Sequence, residues 1–343
     1  MKPTAARATV VALALLILAL GLAACGAKSE TGKGEPEKLR LDLDFYPNPD
    51  HAGIYMAQEE GFFEEAGLDV AIDSPSDPAA PIKDVAAGRA DLAITYEPEV
   101  VLAHEKGLDV VAVAALVNQP LTSLIWLRGG GKEAIKGVAD LKGKTVSYAG
   151  IPYQEAFMKT ILGRAHLSLS DVKLVNVGFG LLPSLISGSA QAMLGGYSNV
   201  EGVALRERGK APVVTPVDKL GVPTYDELVL VAHRSTLEED EQKIRLFISA
   251  LRRGTEAAVK DPKAATEAIL AANTALEPKL AAAEVEATLP LLGARTPGKP
   301  FGYMDPKEWE AFAAWMHDEE LIANLPKATE LLSNGYLLDE IPE

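Results

Sequence analysis

Two short stretches of the 343-residue chain gather side chains able to hold a flat polar molecule without making or breaking bonds. "FYPNPDH", residues 45–51, sets Asn48, Asp50 and His51 among two prolines, and "GGYSNVEG", residues 195–202, sets Tyr197, Asn199 and Glu201 behind two glycines. A carboxamide offers donors and acceptors on one group, and an imidazole does so through its two nitrogens, which is what a heteroaromatic ring edge requires. Pro47 and Pro49 have their φ fixed by the pyrrolidine ring, so the first loop is stiff and loses little entropy on capture. Asn48 or Asp50 would equally well cap a following helix. Asp50 is assigned to that cap, leaving Asn48 and His51 for a ligand. "TYEPEV", residues 95–100, ends an apolar run with Tyr96, whose ring can stack on a flat molecule, while Pro98 with Glu97 or Glu99 reads as a helix start. "GIPYQEA", residues 150–156, repeats the device, with Pro152 opening a helix and Glu155 in its first turn; its free amides could hold a polar group, though a capped helix alone would look the same. A glutamate at position 201 is also good helix-start chemistry, but the paired Gly195 and Gly196 let another group approach the backbone closely.

Catalytic and metal chemistry find little support. The five histidines (51, 104, 166, 233, 317) form no H-x-x-x-H pair and have no neighbouring cysteine, and neither a phosphate-cradling nor a dinucleotide glycine fingerprint occurs. The expectation is therefore no enzyme, no metal and no cofactor. A net charge of −15 with no Lys/Arg cluster argues against nucleic acid.

The elements that must position these residues alternate in type. "LRLDLDF", "LDVAIDS", "ADLAITY" and "DVVAVAALV" read as strands separated by helices over 53–66, 79–88 and 97–106. A second set follows: "SLIWLR", "KTVSYAG", "VKLVNVG", "AQAMLGG" and "APVVTPV", with helices over 153–165, 180–188 and 199–208; "ELVLVAHR" comes next. Helical patterns then dominate, over 238–260, 262–273, 279–291 and 305–318, where Trp309, Phe312, Trp315 and Met316 mark a core face. This α/β alternation predicts largely parallel sheets in two lobes joined by two strands that cross near 121–128 and 226–234. Lobe 1 is assigned 39–123 and 234–343, lobe 2 124–233, with a ligand cleft between them where the strands' carboxyl ends meet.

The N-terminus reads separately. Lys2 and Arg7 precede the apolar run "VVALALLILALGL", too short for a span, and "LAAC" follows at residues 22–25. Residues 1–24 read as an export signal, and Cys25, the sole cysteine, stands where a bacterial lipobox has its acylated thiol. Residues 25–38 read as a polar tether, so the expectation is a lipid-anchored extracytoplasmic protein.

"DFYPNPDHAGIYMAQEEGFFEEAGLDV", "AAGRADLAITYEPEVVLAHEKGLDVVAVAALVNQPLTSLIWL", "LKGKTVSYAGIPYQEAFMKTIL" and "ISGSAQAMLGGYSNVEGVALRERGK" together resemble the thiamine-pyrimidine (NMT1/THI5-like) solute-binding proteins, a group related to sulfonate-binding proteins such as SsuA and to yeast thiamine-pyrimidine synthases. The resemblance covers nearly the whole mature chain and implies the two-lobed type II periplasmic-binding fold. "PNPDHAGIYMA" and "GGYSNVEG" carry its most specific part, resembling the branch whose ABC transporters import formylaminopyrimidine or hydroxymethylpyrimidine. It places a ring-stacking tyrosine at Tyr197 and a ring-edge carboxylate at Glu201. The partners it implies are an aminopyrimidine and an ABC permease with its ATPase, engaged by a monomer. Riboflavin, a sulfonate or another small organic solute is the alternative ligand, and a secreted pyrimidine-metabolism enzyme the alternative class. The related synthases consume a histidine of their own, bind pyridoxal phosphate through a lysine and carry a cysteine-rich motif, whereas here the one cysteine is Cys25.

Overall fold

The computed structural model describes residues 35–129, 134–293 and 297–337. The signal, Cys25 and most of the tether lie outside the described residues.

Among the described residues ten strands form two five-stranded sheets. β1 (Glu37–Asp42), β2 (Leu68–Asp73), β3 (Leu92–Thr95), β4 (Val110–Val117) and β10 (Leu228–His233) make the first, in the order β2-β1-β3-β10-β4. β5 (Thr122–Leu127), β6 (Thr145–Tyr148), β7 (Lys173–Asn176), β8 (Ala192–Tyr197) and β9 (Pro212–Pro216) make the second, in the order β7-β6-β8-β5-β9. All eight residues of β4, "VVAVAALV", are buried, as expected of a strand covered on both faces. Neither sheet is wholly parallel: β10 runs antiparallel between β3 and β4, and β5 antiparallel between β8 and β9. These are the strands that follow the two interlobe connections. The connections are the short segments 118–121 and 221–227, because residues 122–127 and 228–233 are already paired within a sheet. Leu228–His233 thus pairs wholly within the first sheet, whereas the boundaries read from the sequence, 124–233, put it in lobe 2.

Among the described residues the helices are α1 (Ala52–Glu59), α2 (Pro81–Ala86), α3 (Glu97–Glu105), α4 (Gln154–Arg164), α5 (Leu181–Ser187), α6 (Glu201–Glu207), α7 (Arg234–Glu239), α8 (Glu241–Lys260), α9 (Pro262–Ala272), α10 (Pro278–Thr288) and α11 (Pro306–Asp318), with single helical turns at Phe62–Glu65 and Ala328–Leu331. Proline occupies the first turn of α2, α3, α9, α10 and α11, where its missing N–H is no loss. The helix expected over 53–66 is broken because Gly61 takes φ 71°, a left-handed conformation that ends α1. α8 packs across α1 and α9 beside it, so the C-terminal helices cover the first sheet's lobe. The crossing is close: a Cβ at Gly254 of α8 would collide with the Gly53 carbonyl and sit 2.6 Å from the Ala57 nitrogen. α10 also touches α6, which belongs to the second lobe. Trp309 is fully buried, as its core assignment requires, and donates its indole N–H to Asp226 Oδ2 at 2.7 Å.

Candidate ligand-binding cleft

The carboxyl ends of β1, β3, β6 and β8 face one another across the two lobes and enclose about 500 Å³ of atom-free space, counted out to the mouth. Asp44, Phe45, Asn48 and Tyr96 line it from the first lobe; Tyr153, Gln154, Tyr197 and Glu201 line it from the second, and Thr122 lies at the start of β5. Four aromatic rings and two carboxylates therefore face this space, and among the described residues no Lys, Arg or His lines it. Tyr96 and Tyr153, one from each lobe, meet edge-on with centroids 6.0 Å apart. Burial pushes both phenol groups well above their ordinary range, so they remain neutral hydroxyls. Phe179 of the β7–α5 loop sits 4.6 Å, centroid to centroid, from both the cleft-lining Phe45 and its neighbour Tyr46 of the opposite lobe.

Asp44 is held by a chain of hydrogen bonds. His51 Nε2 lies 2.8 Å from Asp44 Oδ1, and Tyr96 Oη donates to Asp44 Oδ2 at 2.9 Å. The Asn48 backbone N–H donates to His51 Nδ1 at 3.3 Å, which assigns the imidazole proton to Nε2 and makes His51 a donor to Asp44. The acid is thus fixed in place by a completely buried histidine and a neutral tyrosine. On the facing wall Glu201 opens α6, and its Oε2 accepts the Tyr197 backbone N–H at 2.7 Å. Burial raises the Glu201 pKa, while bonds from the backbone at Tyr197 and at Glu201 itself pull it back down. Gly195 has φ 105°, and a Cβ there would lie 2.6 Å from Gln154 Nε2, so glycine is what lets β8 pass this closely.

Of the residues singled out in the sequence, Asn48, Tyr96, Tyr197 and Glu201 line the cleft. His51 does not; it stands behind Asp44. Asn199 does not line it either, and instead donates to Asp50 and Thr288 across the lobes. The helix-cap assignment of Asp50 is corrected: the side chain of Asn48 caps the turn Pro49–His51 by accepting the Asp50 N–H at 2.8 Å, leaving the Asp50 carboxylate free to turn inward. Glu155 points away and accepts the Tyr148 hydroxyl. Asp44, Phe45, Tyr153 and Gln154 escaped notice, although each falls within a stretch quoted for the resemblance. Their position just past a strand end was the signal available. Among the described residues no group of three or more His, Cys, Asp or Glu side chains is placed to hold a metal ion.

Comparison with known proteins follows the same lines. The model of the family described as NMT1/THI5 like matches residues 48–265. A formylaminopyrimidine-binding protein of Halalkalibacterium halodurans is 39% identical over 281 residues, covering 80% of this chain and 84% of the relative. A 4-amino-5-hydroxymethyl-2-methylpyrimidine phosphate synthase of Saccharomyces cerevisiae is 26% identical over 230 residues, 64% of this chain and 66% of that enzyme. Among solved structures, the alkanesulfonate-binding protein SsuA of Xanthomonas axonopodis superposes with a TM-score of 0.67 at 16% identity, over 88% of this chain and 100% of the other. At that identity the likeness is one of fold.

Proposed function

The chain belongs to the NMT1/THI5-like family, and on that premise we propose that it is the solute-binding protein of an ABC importer, carrying a thiamine-type aminopyrimidine precursor, formylaminopyrimidine or hydroxymethylpyrimidine, to its permease. The observation that carries the ligand class is the cleft lining: aromatic faces and two carboxylates, with no cation among the described residues. A flat ring can stack on tyrosine, and its exocyclic amine can donate to a carboxylate. A sulfonate would meet two acids and no cationic donor. Binding needs residues of both lobes, so the ligand favours the closed arrangement over an open one and draws the lobes together. A binding role without turnover is supported by the higher identity to a relative named for binding than to the synthases. Calorimetric titration against formylaminopyrimidine, hydroxymethylpyrimidine, riboflavin and an alkanesulfonate tests the reading. The two aminopyrimidines should bind and the sulfonate should not; sulfonate or riboflavin binding with no aminopyrimidine binding overturns it.

We further propose that the protein lies outside the cytoplasm, tethered through an acylated Cys25. No helix among the described residues is long and apolar enough to cross a membrane, and the "LAAC" boundary supports the anchor. In cells fed a labelled fatty acid, Cys25→Ser should lose the label and shift the protein out of the membrane fraction. Unchanged labelling removes the anchor from this account.

A further inference from the structure

Asn199 projects from the second lobe away from the cavity and into the first. Its Nδ2 donates to Asp50 Oδ1 at 2.7 Å and to Thr288 Oγ1, at the end of α10, at 2.8 Å. All three residues are buried. Thr288 sends its own hydroxyl proton to the Glu284 carbonyl at 2.8 Å, so its oxygen is free to accept. Asp50 Oδ2 and Asn199 Oδ1 are buried with no hydrogen-bond partner among the described residues. The hydrogen-bonded pair thus carries one orphaned oxygen on each member. Two buried acceptors facing no donor are costly, and a proton on the acid removes the charge and supplies a donor.

We propose that Asn199, Asp50 and Thr288 form the latch of the closed lobes and that Asp50 is protonated in it, so that capture of ligand takes up a proton. This rests on the lobe-closing reading above. The surroundings of Asp50 agree. Its neighbour in the same turn, His51, is committed to Asp44 and to the Asn48 N–H. Asp44 after β1, Glu201 of α6 and Glu227 ahead of β10 all face it with negative charge, and only the bond from Asn199 acts in the opposite direction to them. α10 adds Glu284, itself raised to about 8 chiefly by burial and next by Glu201, with Arg208 opposing. α8 presents Leu251 and Thr255 on this side, its arginines 252 and 253 being paired with Glu256 and Glu65. Burial first, then these acids, raise the Asp50 pKa well above its ordinary value. Parting the lobes would expose Asp50 to solvent, where a carboxyl titrates in its ordinary range. A pKa raised on closing means that the advantage is fully present below the ordinary carboxylate range and lost as pH rises through the closed-state value.

The test counts protons. Formylaminopyrimidine is titrated into wild type and Asp50→Asn in buffers of different ionisation enthalpy across the range from weakly acidic to neutral pH. Wild type should take up close to one proton more than the variant, and its affinity should fall toward tenfold per pH unit relative to the variant, whose amide keeps the acceptor for Asn199 but cannot titrate. The ligand's own titration is common to both and cancels. A second arm uses no ligand: the radius of gyration of the free protein should grow with pH in wild type, stay flat in Asp50→Asn, and be larger throughout in Asn199→Ala. Equal proton counts in the two proteins overturn the proton, and an unchanged radius in Asn199→Ala overturns the latch. If Asp50→Asn does not fold, zero proton uptake by wild type is sufficient to overturn the proposal. Failure of formylaminopyrimidine to bind counts against the ligand assignment, while the radius arm still decides the latch.

Discussion

Replacing Glu201 with glutamine should weaken binding of formylaminopyrimidine or hydroxymethylpyrimidine roughly ten- to hundredfold while leaving the ligand-free protein about as stable as the parent. The carboxylate stands in the first turn of α6, anchored through Oε2 to the Tyr197 N–H, and it faces the cavity beside the Tyr197 ring. An aminopyrimidine presents an exocyclic amine next to a ring nitrogen. A carboxylate accepts from the amine and favours protonation of that nitrogen, giving two charge-assisted contacts on one edge. A hydrogen bond to a charged group contributes about 1.5–3 kcal/mol, from which the expected loss follows. Glutamine retains an acceptor for the Tyr197 N–H, so the turn that sets the ring should persist. Calorimetry on both proteins is the measurement; a variant that binds as tightly as wild type would show that the amine docks elsewhere, with Asp44 the next acid on the opposite wall.

Tyr96, Tyr197 and Glu201 were legible because a cleft residue in an α/β fold sits where a strand ends and a helix begins, and both events are written locally in apolar runs, prolines and paired glycines. Asn48 was visible for the same reason. What the sequence could not show was the destination of side chains whose partners are remote. Asn199 reaches Asp50 149 residues away and Thr288 89 residues away, and no periodicity encodes such a pairing. His51 looks the same in sequence whether it faces a ligand or braces an acid; only folding brings its Nε2 to Asp44. The capping choice between Asn48 and Asp50 was a near tie in propensity, decided when the buried side of the turn received the Asp50 carboxylate. In the fold, strand positions emerged from apolar patterning, but strand direction did not. An apolar run reads alike in either direction, so the antiparallel insertion of β5 and β10 became visible only in the sheet registers.

Glu227→Ala should cost the protein about 3–5 kcal/mol of stability, whereas Glu227→Gln should stay within about 1 kcal/mol of wild type. Glu227 ends the connection 221–227 with its side chain completely buried, and it gathers donors from the other connection. Its Oε2 accepts the N–H groups of Leu121 and Thr122, both at 2.7 Å, and the Tyr225 hydroxyl at 2.9 Å, while Oε1 accepts the Thr122 hydroxyl at 2.9 Å. One carboxylate thereby ties together both strands of chain that link the lobes, and Thr122 itself borders the cleft. Alanine leaves four buried donors without their acceptor. Glutamine keeps its oxygen where three of those donors converge, and the Thr122 hydroxyl can rotate to accept from the new amide. The sign of the pH dependence follows from burial, which raises the Glu227 pKa against the pull of the bonds from Thr122, Leu121 and Tyr225. A carboxyl whose folded pKa is raised adds stability that is complete below the unfolded value and lost as pH rises through the folded one. The glutamine variant should therefore gain on wild type as pH climbs through that window, since it never pays to hold a charge in the hinge. Urea denaturation of the three proteins at several pH values measures both effects. An alanine variant that loses less than about 1 kcal/mol, or a glutamine variant that falls as far as alanine, would mean that the interlobe connections are held by something other than this acid.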